Sequence, residues 1–124
     1  MDAPTPDAAT PSDSAVRRFL FEGADLRGEV VRVDGAFAAI LQNHQYAPGV
    51  RDLLGEFLAA AVLLATTLKF QGRLTLQARS GGQVPLIMAE CTSELAVRAI
   101  ARGAQEATAL RFGELLAEGQ LAIT

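Results

Sequence analysis

LLGEFLAAAVLLATTLKF, residues 53–70, carries charge only at Glu56 and Lys69 and is otherwise almost unbroken apolar chain. Its reading decides the fold. Residues 57–68 are twelve uncharged positions, about 18 Å of helix at ~1.5 Å per residue, against a hydrocarbon layer of roughly 30 Å, so the segment is too short to cross a membrane. Leu, Ala, Glu and Lys favour helix over strand, Pro48 suits a first turn, Lys69 suits a carboxyl end and Gly72 is a stop signal. These signals predict a helix over 49–69. On a 3.6-residue wheel Leu54, Leu58, Ala61, Ala65 and Leu68 share one side, and Leu53, Phe57, Ala60 and Leu64 widen it. The opposite side, with Asp52, Glu56, Ala59, Leu63 and Thr66, is strongly polar only in its first turn. Such a helix is either a core element covered on most sides or one flank of an adhesive apolar surface.

Outward from the helix the period changes to two. Upstream, residues 17–22 and 25–34 read as strands, with Arg27, Glu29, Val31 and Val33 alternating against Gly28, Val30 and Arg32. Asp34 is placed to cap a short helix through Ala36, Phe37, Ile40 and Leu41, and residues 43–49 link it to the long one. Downstream, residues 73–80 set Leu74, Leu76 and Ala78 on one face and Arg73, Thr75, Gln77 and Arg79 on the other. Gly81 and Gly82 turn that strand into 84–91, which is apolar on both faces and therefore belongs in a central or covered place. A third strand, 95–102, turns Arg98 and Arg102 toward solvent. A short helix near 111–117 and a final run, QLAIT, complete the chain. The pattern is α+β: a mainly antiparallel sheet packed on a long apolar helix and a shorter helix.

Composition narrows the chemistry. Half of the 124 residues are hydrophobic, enough for one domain with its own core. Three of the fourteen acids, Asp2, Asp7 and Asp13, lie in residues 1–14, where Pro4, Pro6 and Pro11 also fall, so that segment reads as a disordered tail and 15–124 as a single domain. The remaining eleven acids balance eleven bases. With no net positive field, one Tyr and no Trp, nucleic-acid binding is not expected. The tail lacks the basic start and apolar run of a secretory signal, and Cys91 is the single cysteine, which together point to the cytoplasm. Cys91 reads as a small buried residue on a strand.

No catalytic constellation emerges. His44 and Cys91 have no motif to bring them together, and His44 reads as a hydrogen-bonding residue in the helix-to-helix turn with Tyr46 packed nearby. Asp52 and Glu56, four residues apart on one helix face, read as a solvated first turn and not as a metal site. Gly81, Gly82 and Gly103 form no phosphate-binding loop. No enzyme, metal or nucleotide is expected in this chain.

FLFEGADLRGEVVRV, then NHQYAPGVRDLLGEFLAAAVLLATTLKFQGRLTLQARSGG, then AECTSELAVRAIAR resemble the amino-terminal part of the redox-regulated bacterial holdase family, heat-shock protein thirty-three. The likeness runs in register from about 17 to 124. Its most specific elements are His44, Tyr46 and Pro48, LLGE at 53–56, LKF at 68–70 with Gly72, and RLTLQ at 73–77. The family often places its proline one position before Pro48, which shifts the helix start slightly. The resemblance implies an ATP-independent chaperone that holds unfolding client proteins during oxidative stress through apolar surface. It also implies a chain more than twice this length, with a zinc switch of four cysteines in a carboxyl-terminal region outside the present residues. Metal release and disulfide formation there unfold a linker and expose apolar surface. Cys91 matches none of those cysteines.

By the same likeness, 15–124 is the first part of a larger family domain, and QLAIT is a strand whose usual partners lie further on. An open edge or exposed face would then favour a homodimer or domain exchange. The candidate client-binding or interface residues are Phe57, Leu63 and Leu64 on the helix and Leu86 and Ile87 on the hairpin. The alternative is a non-catalytic oligomerisation or scaffold module that uses its apolar segments in its own core.

Overall fold

The computed structural model describes residues 14–42, 44–104 and 106–124; the tail expected at 1–14 lies, apart from Ser14, outside them, as does Asn43 in the linker. Among the described residues nine elements follow in order: β1 (Ser14–Phe21), β2 (Leu26–Val33), α1 (Asp34–Leu41), α2 (Pro48–Thr67), β3 (Arg73–Arg79), β4 (Leu86–Thr92), β5 (Val97–Arg102), α3 (Phe112–Leu115) and β6 (Gln120–Ile123). The fold is α+β and every strand pairing is antiparallel. The strands divide between two sheets, a β1–β2 hairpin and a four-stranded sheet in the order β5-β4-β3-β6.

Helix α2 lies between the two sheets, packing on β3, β4 and β5 on one side and on β2 on the other. Its Leu53, Leu54, Phe57, Leu58, Ala61 and Ala65, all on the wheel's apolar side, are buried, and Val50 and Val62 are buried with them, while Ala60 and Leu64 are half-buried. The sheet answers with Leu74, Leu76 and Ala78 from β3, Ile87, Ala89 and Cys91 from β4, and Ala99 and Ala101 from β5. Four of these eight are alanines, so at those positions the bulk of the core comes from α2. On the opposite side Val16, Val31 and Val33 of the hairpin close over α2, following the predicted alternation in β2.

Helix α2 begins at Pro48, whose missing N–H costs nothing in a first turn. It ends at Thr67, two residues short of the expected stop, with the Leu68 N–H donating to the Leu64 carbonyl at 2.9 Å as its last backbone bond. The Thr67 hydroxyl donates to the Leu63 carbonyl at 2.7 Å, and Leu68 is already extended (φ −95°, ψ 145°). Leu68 is therefore exposed, off the helical face where the wheel placed it. Asp34 does not cap α1: it is the first helical residue, and its carboxylate accepts from Arg32 at 2.9 Å.

Strand β4 starts two residues later than the sequence pattern suggests, because the Val84 N–H donates to the Leu115 carbonyl of α3 at 2.9 Å instead of to a strand. The start of β5 moves from 95 to 97 because Leu95 adopts φ +66° in a turn that brings the Thr92 N–H to the Ala96 carbonyl. In the linker before α2, His44 and Tyr46 stack loosely with ring centroids 5.5 Å apart, and the Tyr46 hydroxyl accepts from the Ala101 N–H at 3.4 Å.

Candidate functional site

Ile87 and Phe57 lie in the chain's own core, 0 % and 6 % exposed, so they can reach a partner only if the packing around α2 opens. Leu63 and Leu64 are half-buried on α2, with Leu64 packed against the core. Leu86 is half-buried too, but on the other face of the sheet. Strand alternation separates it from its neighbour Ile87: pairing of Ala78 with Ile87 turns Ile87 toward α2, and Leu86, opposite Arg79, faces away. The five candidates are thus not brought together into one patch.

A different set of apolar side chains is gathered at the surface. Phe112 of α3 is 60 % exposed, and Leu121 and Ile123 of β6 are 60 % and 51 % exposed. Leu121 and Ile123 stand opposite Ala78 and Leu76, so they continue the helix-facing side of the sheet past the point where α2 covers it. Between β6, α3 and α2 runs a trough of about 460 Å³, with Phe57, Ala60, Leu76, Leu116 and Leu121 among its walls. Phe57 is the one sequence candidate that borders it. The signal for Leu121 and Ile123 was present in the alternation of QLAIT, but five residues carry too little period to reveal which face is covered.

A larger cleft, about 950 Å³, lies under the hairpin and mixes the charged Arg18, Arg27, Glu29 and Lys69 with the apolar Phe19 and Leu20. Glu29 of β2 is held there by the hydroxyls of Thr66 and Thr67 at the carboxyl end of α2, the latter at 3.2 Å, and pairs with Arg18 at 3.7 Å. These contacts tie the hairpin to the helix and leave Glu29 engaged as structure. A second engaged acid is Glu90 of β4, 8 % exposed. It accepts from Arg98 Nε, with Arg73 at 3.7 Å and the Thr75 hydroxyl at 3.3 Å. The Arg98 hydrogen bond holds its carboxyl below the usual glutamate range, against the opposing pull of burial.

Cys91 faces α2 with no exposed surface, and burial pushes its thiol up. No group of three or more His, Cys, Asp or Glu side chains able to hold a metal occurs among the described residues. The residues present therefore do not fit a four-thiolate zinc site. Among the described residues no helix is long and apolar enough to cross a membrane. Exposed apolar side chains occur both on the hairpin, at Phe19, Leu20, Phe21, Leu26 and Val30, and at the trough, at Phe112 and Leu121, with Ile123 further along β6. Their chemistry is contact by shape-tolerant apolar surface.

Comparison with known proteins places these features in context. The chain is 50 % identical over 110 residues to the 33 kDa chaperonin of Pseudomonas paraeruginosa and 51 % identical over 110 residues to that of Azotobacter vinelandii, in each case covering 87 % of this chain and 37 % of the relative. It is 46 % identical over 116 residues to the 33 kDa chaperonin of Pseudomonas syringae pv. syringae, covering 92 % of this chain and 39 % of the relative. The chain thus spans well under half the length of these relatives. The family model described as Hsp33 protein matches residues 14–124, from the first residue of β1 to the residue after β6, and the chain belongs to the Hsp33 family.

Proposed function

We propose that this chain is the client-holding part of an ATP-independent chaperone, one that captures unfolding proteins on apolar surface and performs no bond-making chemistry. Family membership and the chaperonin name of the relatives support the reading. The observation that carries it is the exposure of Phe112 and Leu121 at the trough, with Ile123 exposed further along β6, since a folded chain gains nothing by leaving large apolar side chains in water. In the family the activity is switched on by oxidative stress through cysteines that match no residue here. This chain would supply the surface and not the sensor.

The test is aggregation of a thermally unfolding protein, with the chain kept reduced and without ATP. Suppression at near-stoichiometric ratio, together with binding of an apolar dye, is the expected result. No suppression and no dye binding would sink the proposal.

A second reading has its own observation. Strand β6 is at the edge of the four-stranded sheet, and the same Leu121 and Ile123 lie along that edge. Edge strands with exposed apolar residues pair readily with another copy. In that reading the chain is an oligomerisation module, homodimeric or domain-exchanged. Sedimentation at micromolar concentration separates them: a dimer that hides the trough and does not protect clients favours the second reading.

A further inference from the structure

We propose that the outward face of the four-stranded sheet selects acidic segments of unfolding proteins; the inference rests on the holdase reading and names its preferred clients. On the side away from α2 the register sets Arg79, Leu86 and Arg102 in one row across β3, β4 and β5. The next row holds Ala122, Gln77, Met88 and Ile100, and the one after it Thr75, Glu90 and Arg98. Leu86, Met88 and Ile100 are half-buried and form an aliphatic centre, while Arg79 and Arg102 are exposed.

The two ends of this face differ in charge. At one end Glu90 is already held by Arg98 and Arg73. At the other, Arg79 and Arg102 flank Leu86 at two strand spacings, roughly 10 Å apart, and among the described residues neither is ion-paired with an acid. Glu90 is the single acid at the outward positions of these strands, against four arginines. A face that is aliphatic in the middle and cationic on both sides of Leu86 complements an apolar segment bracketed by carboxylates. It complements nucleic acid poorly, because no outward position of the sheet carries an aromatic ring for base stacking. The effect is one of selection. Apolar contact with Leu86, Met88 and Ile100 is indifferent to sequence, and the charges decide which apolar segments stay.

The experiment uses two fluorescein-labelled peptides of identical Leu, Val and Ala content, one flanked by glutamates and one by lysines, titrated against the 124-residue chain by fluorescence anisotropy. The glutamate peptide is expected to bind about five-fold more tightly, which is what two exposed charge pairs provide. The ratio should fall toward one at about 0.5 M NaCl, where the screening length drops below ~5 Å. Arg79→Glu with Arg102→Glu should invert the preference. Arg79→Gln with Arg102→Gln, the milder pair, should abolish it, with circular dichroism and Tm unchanged in both variants. Equal affinity of the unmodified chain for the two peptides overturns the proposal, as does an unaltered preference in the folded variants. Tighter binding of a single-stranded oligonucleotide than of the glutamate peptide also overturns it. If selection fails but aggregation is still suppressed, only the charge argument is lost; if neither peptide binds and no client is protected, the holdase reading falls with it.

Discussion

Arg18 of β1 donates through Nη2 to the Thr66 carbonyl oxygen at 2.6 Å, so a side chain from the hairpin satisfies a carbonyl that the end of α2 leaves without a helical partner. A cation at a helix carboxyl end is favourable for the dipole as well as for the hydrogen bond. Replacing Arg18 with Ala should cost below about 1 kcal/mol overall, because the guanidinium is largely exposed. The effect should be local: amide hydrogen exchange should quicken in β1 and β2 and stay unchanged in β3, β4 and β5. Uniform quickening in all strands would contradict this arrangement.

Gly49 and Gly55 both lie in α2, where Ala is intrinsically better than Gly by roughly 1 kcal/mol. They should respond in opposite ways. A Cβ at Gly49 would stand 2.1 Å from the Ala109 carbonyl oxygen, a backbone atom with little room to retreat, so Gly49→Ala should destabilise the chain by about 2 kcal/mol despite its helix propensity. At Gly55 the nearest atom is the ring tip of half-buried Phe37 at 3.2 Å, and a small ring displacement suffices. Gly55→Ala should fall within about 0.5 kcal/mol of the parent. Urea midpoints of the two variants check the contrast.

If Leu63 and Leu86 hold clients as proposed, substitutions at Leu63, Leu86 and Ile87 should separate holding from folding. Ile87→Ala should cost about 2–5 kcal/mol, since its side chain is fully enclosed under α2. Leu63→Ser and Leu86→Ser, at half-buried positions, should keep the fold and weaken client holding. Loss of the fold on replacing Leu63 would mark it as core.

Glu90 gives the chain an acid-side dependence. The Arg98 hydrogen bond depresses its pKa in the folded state, so the stabilisation is present above the ordinary glutamate value of ~4.3 and is lost as pH falls through the lower folded value. Glu90→Gln should lower stability by about 1 kcal/mol at neutral pH, a modest figure because its arginine partners are open to solvent. The difference in Tm between the two proteins should shrink as pH is taken below 4. A constant difference down to strong acid would refute the assignment.

Cys91 acts in the alkaline direction. Burial raises its pKa, so folding favours the neutral thiol: that contribution is whole below the unfolded value of ~8.5 and is lost as pH rises through it toward the folded value. Cys91→Ala should remove this part of the slope of Tm against pH. Labelling of Cys91 by a thiol reagent should proceed only as fast as the core opens, and rapid labelling of the native chain would contradict its burial.

Most of the fold was legible because long periodic segments state their environment. Leu53, Leu54, Phe57, Leu58, Ala61 and Ala65 of α2 are buried where the wheel put them, and Leu74, Leu76 and Ala78 follow the strand alternation to the core. What was not legible depends on contacts distant in sequence. Nothing local says that Val84 gives its N–H to α3, that Thr66 meets Glu29 thirty-seven residues away, or that β1 and β2 form a sheet of their own. The candidate surface suffered most. Apolar composition singled out residues such as Ile87 that the fold consumes, while Phe112, Leu121 and Ile123 sit in segments too short to have a period.

The alternation of Ile87, Ala89 and Cys91 with Leu86, Met88 and Glu90 makes β4 intolerant of sliding. A one-residue slip against β3 would turn Glu90 under α2, away from Arg98 and Arg73, and strand a carboxylate in oil. One acid thus polices the alignment of the whole central sheet, so a chain caught mid-assembly in the wrong frame is driven to let go and pair again.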